Sequence, residues 1–223
     1  SPSSIPSAAP TSTPTPAPTP IPSPAPTSIQ AYWNGRVVSE NATVASVFSR
    51  CEPPICTLDI NRGTHSFDST LEITSGMTVE IRPAAQSNGD QIILDGQSGE
   101  FPLFYLEGPG AELRVSSVEI KNFARGAIIA EGGAVVTLND VNLTRNSAMR
   151  TVGSRRRALA AADFETCGGA IRLVNGATAS LSASVLTENS AERGGAVYVL
   201  NGSTLTIDSS RFMPSAPPID CRL

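Results

Sequence analysis

The chain has 223 residues, a net charge of −4, 16% charged residues and 5% aromatic residues. So weakly charged a chain lacks the concentrated basic surface of a nucleic-acid-binding protein. No apolar run approaches the roughly 20 residues of a membrane-spanning helix, and the length suits one repeat domain plus a tail.

Residues 1–28 contain only Ser, Pro, Ala, Thr and Ile, a composition that cannot pack a core. We expect a disordered or polyproline II segment, which extends by about 3.1 Å per residue. It is either an inert spacer or an O-glycosylated stalk. The segment resembles the hydroxyproline-rich glycoproteins of plant and algal cell walls.

Residues 29–66 are predicted to form an N-terminal cap and a first strand. Within Ala31–Arg50, the spacing of Val44, Val47 and Phe48 fits one face of a short helix. Such a helix would cover the open end of a solenoid, with Trp33 packed beneath it.

Four cysteines, Cys51, Cys56, Cys167 and Cys221, indicate an oxidising, extracellular compartment. The prolines between Cys51 and Cys56 make a disulfide across that short loop feasible. Cys167 and Cys221 each precede a coil start, two coils apart, which is about 10 Å along an ideal stack. That separation exceeds disulfide reach, but the irregular segments beside both cysteines leave the pairing open.

Residues 67–223 repeat one pattern. Copies are recognised at Leu71, at Leu103, over Gly126–Asn146, over Gly169–Asn189 and over Gly195–Phe212. The intervals between turn glycines are 23, 43 and 26 residues, at Gly110, Gly133, Gly176 and Gly202. Intervals in the twenties are typical of solenoids. The long interval predicts an inserted loop at 149–167 that makes no strand in the stack.

Apolar and polar residues alternate inside each copy, which is the side-chain period of a β-strand. The residues predicted to face inward are Ala111, Leu113, Val115, Ala134, Val136, Leu138, Ala177, Ala179, Leu181, Ser203, Leu205 and Ile207, followed in each coil by Val118 and Ile120, Val141 and Leu143, Ser184 and Leu186, and Ser210 and Phe212. Thr178, Ser180, Thr204 and Thr206 are predicted to face outward. Stacked coil on coil, the inward residues form apolar ladders. We therefore predict an all-β chain, a right-handed parallel β-helix of about five coils.

Asn-Gly and Gly-Gly pairs at the turns admit positive φ at little steric cost. Asn146 and Asn189 hold equivalent places after a strand. They form either an internal asparagine ladder, which we favour, or two ordinary turns.

Two pairs of short motifs recur: Gly168-Gly-Ala-Ile171 with Leu143-Thr-Arg-Asn146, and Gly194-Gly-Ala-Val197 with Leu186-Thr-Glu-Asn189. They resemble the GGA-[ILV] and FxxN repeats of polymorphic outer membrane proteins, with Leu in place of Phe. A third pair is incomplete, because Met-Pro-Ser follows Phe212. The resemblance covers about Leu103 to Phe212. It implies a right-handed, pectin-lyase-like β-helix of a surface protein or adhesin.

The same fold hosts polysaccharide lyases and hydrolases, which need paired carboxylates or an acidic calcium site. The carboxylates near corners or in turns are Asp95, Glu100, Glu107, Asp140 and Asp208; we also expect Glu119 and Arg114 to share an outer face. None recurs as a constellation, so we interpret all of them as solvated charges. We expect His65, the only histidine, to be structural, and the sequence motifs indicate no cofactor or metal.

Arg150 and the run Arg155, Arg156 and Arg157 lie in the inserted loop. They are interpreted as a solvated loop, with acidic polysaccharide binding or proteolytic processing as alternatives. Three sequons begin at Asn41, Asn142 and Asn201. The first two are expected to point outward, whereas a structural role is favoured for Asn201 in its tight turn.

These features predict an extracellular or cell-surface protein with a structural, adhesion or carbohydrate-binding role. Its partner would be a polysaccharide or a surface protein, and a polysaccharide lyase or hydrolase is the alternative. At the C-terminal end the stack finishes with Leu205, Ile207 and Phe212. Prolines after Met213 prevent a further central strand, so we expect the tail to fold back as a cap, the chain to be a fragment of a longer helix, or copies to associate end to end.

Overall fold

The computed structural model describes residues 30–33, 36–37, 48, 54–84, 91–148 and 166–213. Within them every regular element is a β-strand except the helical residue Phe48. The Pro-rich segment 1–28, Cys51, Cys221, Asn41 and the four arginines of the inserted loop lie outside the described residues, so the predictions that concern them stay predictions. No helix in the described part of the chain is long and apolar enough to cross a membrane.

Sheet 1 has eight strands in the order β2-β1-β3-β6-β9-β12-β16-β20. Its strands are β1 (Gln30–Trp33), β2 (Arg36–Val37), β3 (Ile55–Ile60), β6 (Thr78–Pro83), β9 (Glu112–Ser116), β12 (Val135–Asn139), β16 (Thr178–Ser182) and β20 (Thr204–Asp208). From β3 onward all neighbours are parallel.

Sheets 2 and 3 are parallel throughout. Sheet 2 contains β4 (Gly63–Ser66), β7 (Ile92–Asp95), β10 (Glu119–Lys121), β13 (Asn142–Thr144), β17 (Val185–Thr187) and β21 (Arg211–Met213), in that order. Sheet 3 contains β5 (Leu71–Thr74), β8 (Phe104–Glu107), β11 (Ile128–Glu131), β15 (Ile171–Val174) and β19 (Val197–Val199). A small fourth sheet pairs β14 (Ser147–Ala148) with β18 (Ser190–Ala191).

From β3 on, the chain visits sheets 1, 2 and 3 in the same order in every turn, and each strand pairs with the strand one turn later. We call one such turn a coil. Five coils are complete, and β20 and β21 begin a sixth. This all-β arrangement of stacked parallel strands is consistent with the predicted β-helix. Its first coil already includes Ile55–Ile60, within the segment assigned to the cap and first strand.

The predicted inward rows are buried in coils three to five, from Ala111 to Leu181 and, in sheet 2, from Val118 to Leu186. The outward residues Thr178, Ser180, Thr204 and Thr206 are exposed. The predicted alternation is therefore confirmed there. The sixth coil differs, because Leu205 is only half-buried and Ile207 and Phe212 are exposed.

Three kinds of backbone feature bend each coil. Asn175 and Gly176, like Asn201 and Gly202, have positive φ between sheets 3 and 1, as the Asn-Gly pairs predicted. Between sheets 1 and 2 a single left-handed residue makes the bend, at Ser117, Asp140, Ala183 and Ser209. In the Gly-Gly-Ala motif Gly168 has a φ of 69°. A Cβ on Gly169 would come within 2.3 Å of the Ser190 carbonyl oxygen in the next coil.

The predicted helical cap is not seen among the described residues, although Phe48, the one described residue of Val44, Val47 and Phe48, is helical. Strands β1 and β2 form an antiparallel hairpin, and β1 pairs antiparallel with β3, so that strands cover this edge of sheet 1. Trp33 lies in β1. Phe48 is buried against the core, as the spacing suggested, but Val44 and Val47 lie outside the described residues.

The inserted segment lengthens the sequence between two strands without ending the strand pairing on either side of it. Before it, Ala148 pairs with Ala191 of the next coil, and after it Cys167 pairs with Arg193. Hydrogen bonding resumes at once, because Ala170 N donates to Ala196 O at 2.8 Å. One residue links Ala191 to Arg193, where the equivalent link in the preceding coil runs over 149–166.

Candidate functional site

The outer face of sheet 1 is uncharged over coils four and five and on the next strand, apart from one terminal carboxylate. Three registered rows run across β12, β16 and β20: Val135, Thr178, Thr204; Thr137, Ser180, Thr206; and Asn139, Ser182, Asp208. We call these nine residues the hydroxyl face, because six of them carry a hydroxyl group. β-branched residues suit a pleated, half-exposed surface, which accounts for the Thr and Val in these rows.

The backbone fixes the spacing of the hydroxyl face. Neighbouring strands lie about 4.8 Å apart, and alternate residues on one strand are about 7 Å apart. Thr178, Ser180, Thr204 and Thr206 are exposed, whereas Val135 and Thr137 are half-buried. The face is thus a regular grid of hydroxyl and methyl groups without a central charge.

The same face of sheet 1 is charged in the earlier coils. Arg82 Nε lies 2.7 Å from Asp59 and Arg82 Nη1 lies 3.3 Å from Glu80, while Arg114 Nε lies 2.8 Å from Glu112. Hydrogen bonds to these carboxylates raise the pKa of both guanidinium groups. Exposed ion pairs of this kind contribute little to stability. Their main effect is that each arginine and its carboxylate partner neutralise one another's charge beside the uncharged rows.

Sheet 3 carries a second polar group on its outer face. Tyr105 donates a hydrogen bond to Glu131, and Glu107 is registered beside Glu131 on the neighbouring strand. Burial, and then the hydrogen bond to Glu131, raises the pKa of Tyr105 above its ordinary value. The phenol therefore remains a donor at neutral pH. Neither the Tyr105–Glu131 contact nor its pairing with Glu107 was predicted, because the three residues belong to two different coils.

The other predicted carboxylates do not converge. Asp95 accepts hydrogen bonds from the backbone N–H of Gln97 at 2.8 Å and from Asn122 Nδ2 at 3.0 Å. Asp140 accepts one from the Ser117 hydroxyl at 3.0 Å. Glu100 follows β7 in a bend, and Asp208 ends β20. Both Asp95 and Asp140 serve the corners of the coil.

Arg114 and Glu119 do not share a face, because β9 belongs to sheet 1 and β10 to sheet 2. A bend at Ser117 separates the two strands, so that this expectation was wrong. Across the described ranges, no three His, Cys, Asp or Glu side chains form a group that could hold a metal ion.

His65 is a core residue on β4. It is 5% exposed, and its Nε2–H donates to the Asn61 carbonyl oxygen at 2.9 Å. Burial lowers the pKa of the imidazole, and the bond to Asn61 only partly opposes that shift. His65 occupies the register position of Leu94 and Ile120 in the next coils, as the structural interpretation expected.

Asn146 and Asn189 are buried and hydrogen-bonded to each other, which confirms the asparagine ladder. Of the sequons, Asn142 lies exposed in β13 and points outward as predicted. Asn201 sits in its turn with φ 53° and donates to Asn175 Oδ1 at 3.1 Å.

The described cysteines occupy different settings. Cys56 lies buried in β3 and is disulfide-bonded; its pairing with Cys51 stays a prediction. Cys167 is buried beside Arg193 and Arg172, and burial raises the pKa of its thiol. The pairing of Cys167 with Cys221 also stays a prediction.

Comparison of the chain with known protein families, with curated proteins and with solved structures finds no match. The geometry of the outer faces of sheets 1 and 3 is therefore the main guide to function.

Proposed function

We propose that this chain is an extracellular or cell-surface protein that binds an extended, neutral polysaccharide across its hydroxyl face. The observation that carries the proposal is the registered, uncharged grid of Thr178, Ser180, Thr204 and Thr206. In this proposal the stack is a right-handed parallel β-helix of the pectin-lyase-like kind, and its role is adhesion or wall structure.

The chemistry of the grid suits such a ligand. Hydroxyl groups both donate and accept hydrogen bonds, so they match sugar hydroxyls in either orientation. Exposed methyl groups of Thr178 and Thr204 contact the apolar faces of pyranose rings. A long, flat, strand-based surface also holds its groups in place before binding, which lowers the ordering cost of association.

The extracellular setting is supported by composition. The Ser, Thr and Pro-rich first 28 residues fit a glycosylated stalk. Four cysteines fit an oxidising compartment, and the exposed Asn142 begins a sequon.

One observation favours a second candidate, a polysaccharide lyase or hydrolase. Glu107 and Glu131 are adjacent carboxylates on sheet 3, with Tyr105 bound to one of them. Paired carboxylates are what glycoside hydrolysis requires. If this candidate is right, the full chain releases new reducing or unsaturated ends from a polysaccharide, and Glu131→Gln abolishes the release.

The binding proposal is tested by sedimenting the full chain with insoluble neutral polysaccharides, namely cellulose and a β-1,3-glucan. Ser180→Arg places a charge at the centre of the hydroxyl face, and we expect at least a ten-fold loss of bound protein. Thr64→Arg is the matched control, since Thr64 is exposed on sheet 2. Equal retention of both variants, or no retention of the unmodified chain, would overturn the proposal.

A further inference from the structure

The end of the stack at β19, β20 and β21 leaves one edge of each sheet without a neighbouring strand among the described residues. Apart from β4 and β5, which form the opposite edges of sheets 2 and 3, the other parallel strands of these three sheets pair on both sides. Edge strands present a row of backbone N–H and C=O groups that can pair with another chain.

Apolar side chains are exposed at this same end. Of the five large hydrophobic residues that are exposed in the described part of the chain, four belong to these edge strands: Val199, Ile207, Phe212 and Met213. Ile207 is 47% exposed and Phe212 is 42% exposed, whereas Leu181 and Leu186, their neighbours one coil earlier, are 0% and 1% exposed. The interior ladders therefore continue to the surface and stop there.

The opposite end of sheet 1 is different. Strand β1 covers β3 with antiparallel hydrogen bonds, and β2 covers β1. This arrangement shows that an antiparallel strand fits the edge of the stack. It also blocks that edge, so that a head-to-tail contact between copies cannot extend sheet 1.

We propose that two copies of this chain pair through their C-terminal ends as a closed, two-fold symmetric dimer. A two-fold axis perpendicular to the stack makes every strand antiparallel to its partner, as at the β1–β3 edge. It places β20 against β20 of the second copy, and β21 against β19. Strands β19 and β21 match in length, since each has three residues.

The coil rise is compatible with this symmetry. Along the axis of the stack, β19 lies one step before β20 and β21 lies one step after it. These two displacements along the axis are opposite, so they cancel where β21 meets β19 of the other copy. All three contacts are then one strand spacing, about 4.8 Å, apart. Such an interface is isologous and closes on itself, so the product is a dimer and not a filament.

When Thr206 lies on the two-fold axis, β20 of one copy and β20 of the other pair in a self-complementary register. Leu205 then faces Ile207 on the inner side, which continues the apolar ladder. On the outer side Thr204 faces Asp208, so its hydroxyl donates to a carboxylate and no two like charges meet.

Light scattering of the full chain tests the dimer. We expect twice the chain mass of 23.2 kDa, and half of that value for Ile207→Lys at the same concentration. Ile55→Lys is the matched control, because Ile55 is 53% exposed at the other end of the stack and should remain dimeric. Both substituted residues are exposed, so circular dichroism should show folded variants.

Cysteine cross-linking tests the register. Thr206→Cys should form a disulfide-linked dimer on mild oxidation, since directly opposite antiparallel residues lie within disulfide reach. Ser180→Cys, one coil inward on the same row, should not. A monomer at every concentration, a series of higher oligomers, or equal loss of association in Ile55→Lys would overturn the proposal. So would a dimer that forms only after residues 214–223 are deleted.

Discussion

The side-chain amides of Asn146 and Asn189 lie one above the other inside the stack, with Asn146 Nδ2 3.1 Å from Asn189 Oδ1. Asn189 Oδ1 also accepts from the backbone N–H of Asn146 at 3.0 Å, and Asn189 Nδ2 donates to Leu143 O at 2.7 Å. One coil earlier, Asn146 serves Ile120 O and the Phe123 amide in the same way. The two side chains thus hydrogen-bond backbone groups that bend out of the regular ladder.

Asn189→Leu should destabilise the protein strongly. The change leaves Leu143 O and the backbone N–H of Asn146 without this partner, at about 1–3 kcal/mol for each buried group. Urea unfolding should show a lower midpoint with an unchanged slope. Asn142→Thr is the control: Asn142 is exposed on β13, so this change should stay within about 0.5 kcal/mol of the unmodified chain. Equal midpoints for both variants would show that the ladder contributes nothing.

Leu181→Asp should unfold or severely destabilise the stack, because an unpaired charge would lie in a fully buried row. Ser180→Asp, one residue earlier and exposed, is expected to change stability by less than about 0.5 kcal/mol. Thermal unfolding followed by circular dichroism compares the two. Similar melting temperatures would contradict the inward and outward assignment of β16.

Acidification should weaken the fold through His65. Its pKa is lowered from 6.5 in the folded state, so the unfolded chain binds more protons once the pH falls below that value. Stability is therefore greatest above about pH 6.5 and declines as the pH falls towards the folded pKa.

The substitution His65→Leu isolates this effect, since Leu94 and Ile120 hold the same register position. We expect the difference in unfolding free energy between the two proteins to vary with pH below about 6.5 and to be constant above it. Carboxylates contribute equally to both curves and cancel. A difference that is flat over the whole range would contradict the prediction.

Deletion of residues 149–165 should leave the fold intact. Only Thr166 would then link Ala148 to Cys167, as Glu192 links Ala191 to Arg193 in the next coil. The melting temperature and the far-ultraviolet spectrum should be nearly unchanged, because the flanking hydrogen bonds are already in place. Loss of cooperative unfolding would show that the segment is part of the core.

The sheet 1 register and the bends with glycine were predictable because each depends on local sequence. Leu113, Val136 and Leu181 alternate with polar neighbours, and Asn175-Gly176 permits the backbone that the bend needs. The bends at Ser117 and Ala183 carry no such mark. Left-handed conformations cost non-glycine residues roughly 1–2 kcal/mol, so here the stacked strands on either side impose the bend.

The N-terminal edge and the sheet 3 group were not predicted, since both depend on contacts between distant segments. Three apolar residues at helical spacing suggested a helical cap, whereas the described cover is made by Gln30–Trp33 pairing with β3. The Tyr105–Glu131 contact joins two neighbouring coils, and the two residues are 26 positions apart in the sequence. The alternation of apolar and polar residues within one strand does not indicate which outward residues of neighbouring coils will contact each other.

The corners of the coil differ in how much the length of the linking segment varies from one coil to the next. Between sheets 1 and 2 the link is two residues in coils three to six, at 117–118, 140–141, 183–184 and 209–210. Between sheets 2 and 3 it ranges from 67–70 in the first coil to 145–170 in the fourth. In the second coil the link between sheets 1 and 2 is longer, at 84–91, so both corners accept added sequence. The longest addition lies between sheets 2 and 3, and the link at Glu192, its counterpart one coil later, is the place to graft a foreign segment without disturbing either outer face.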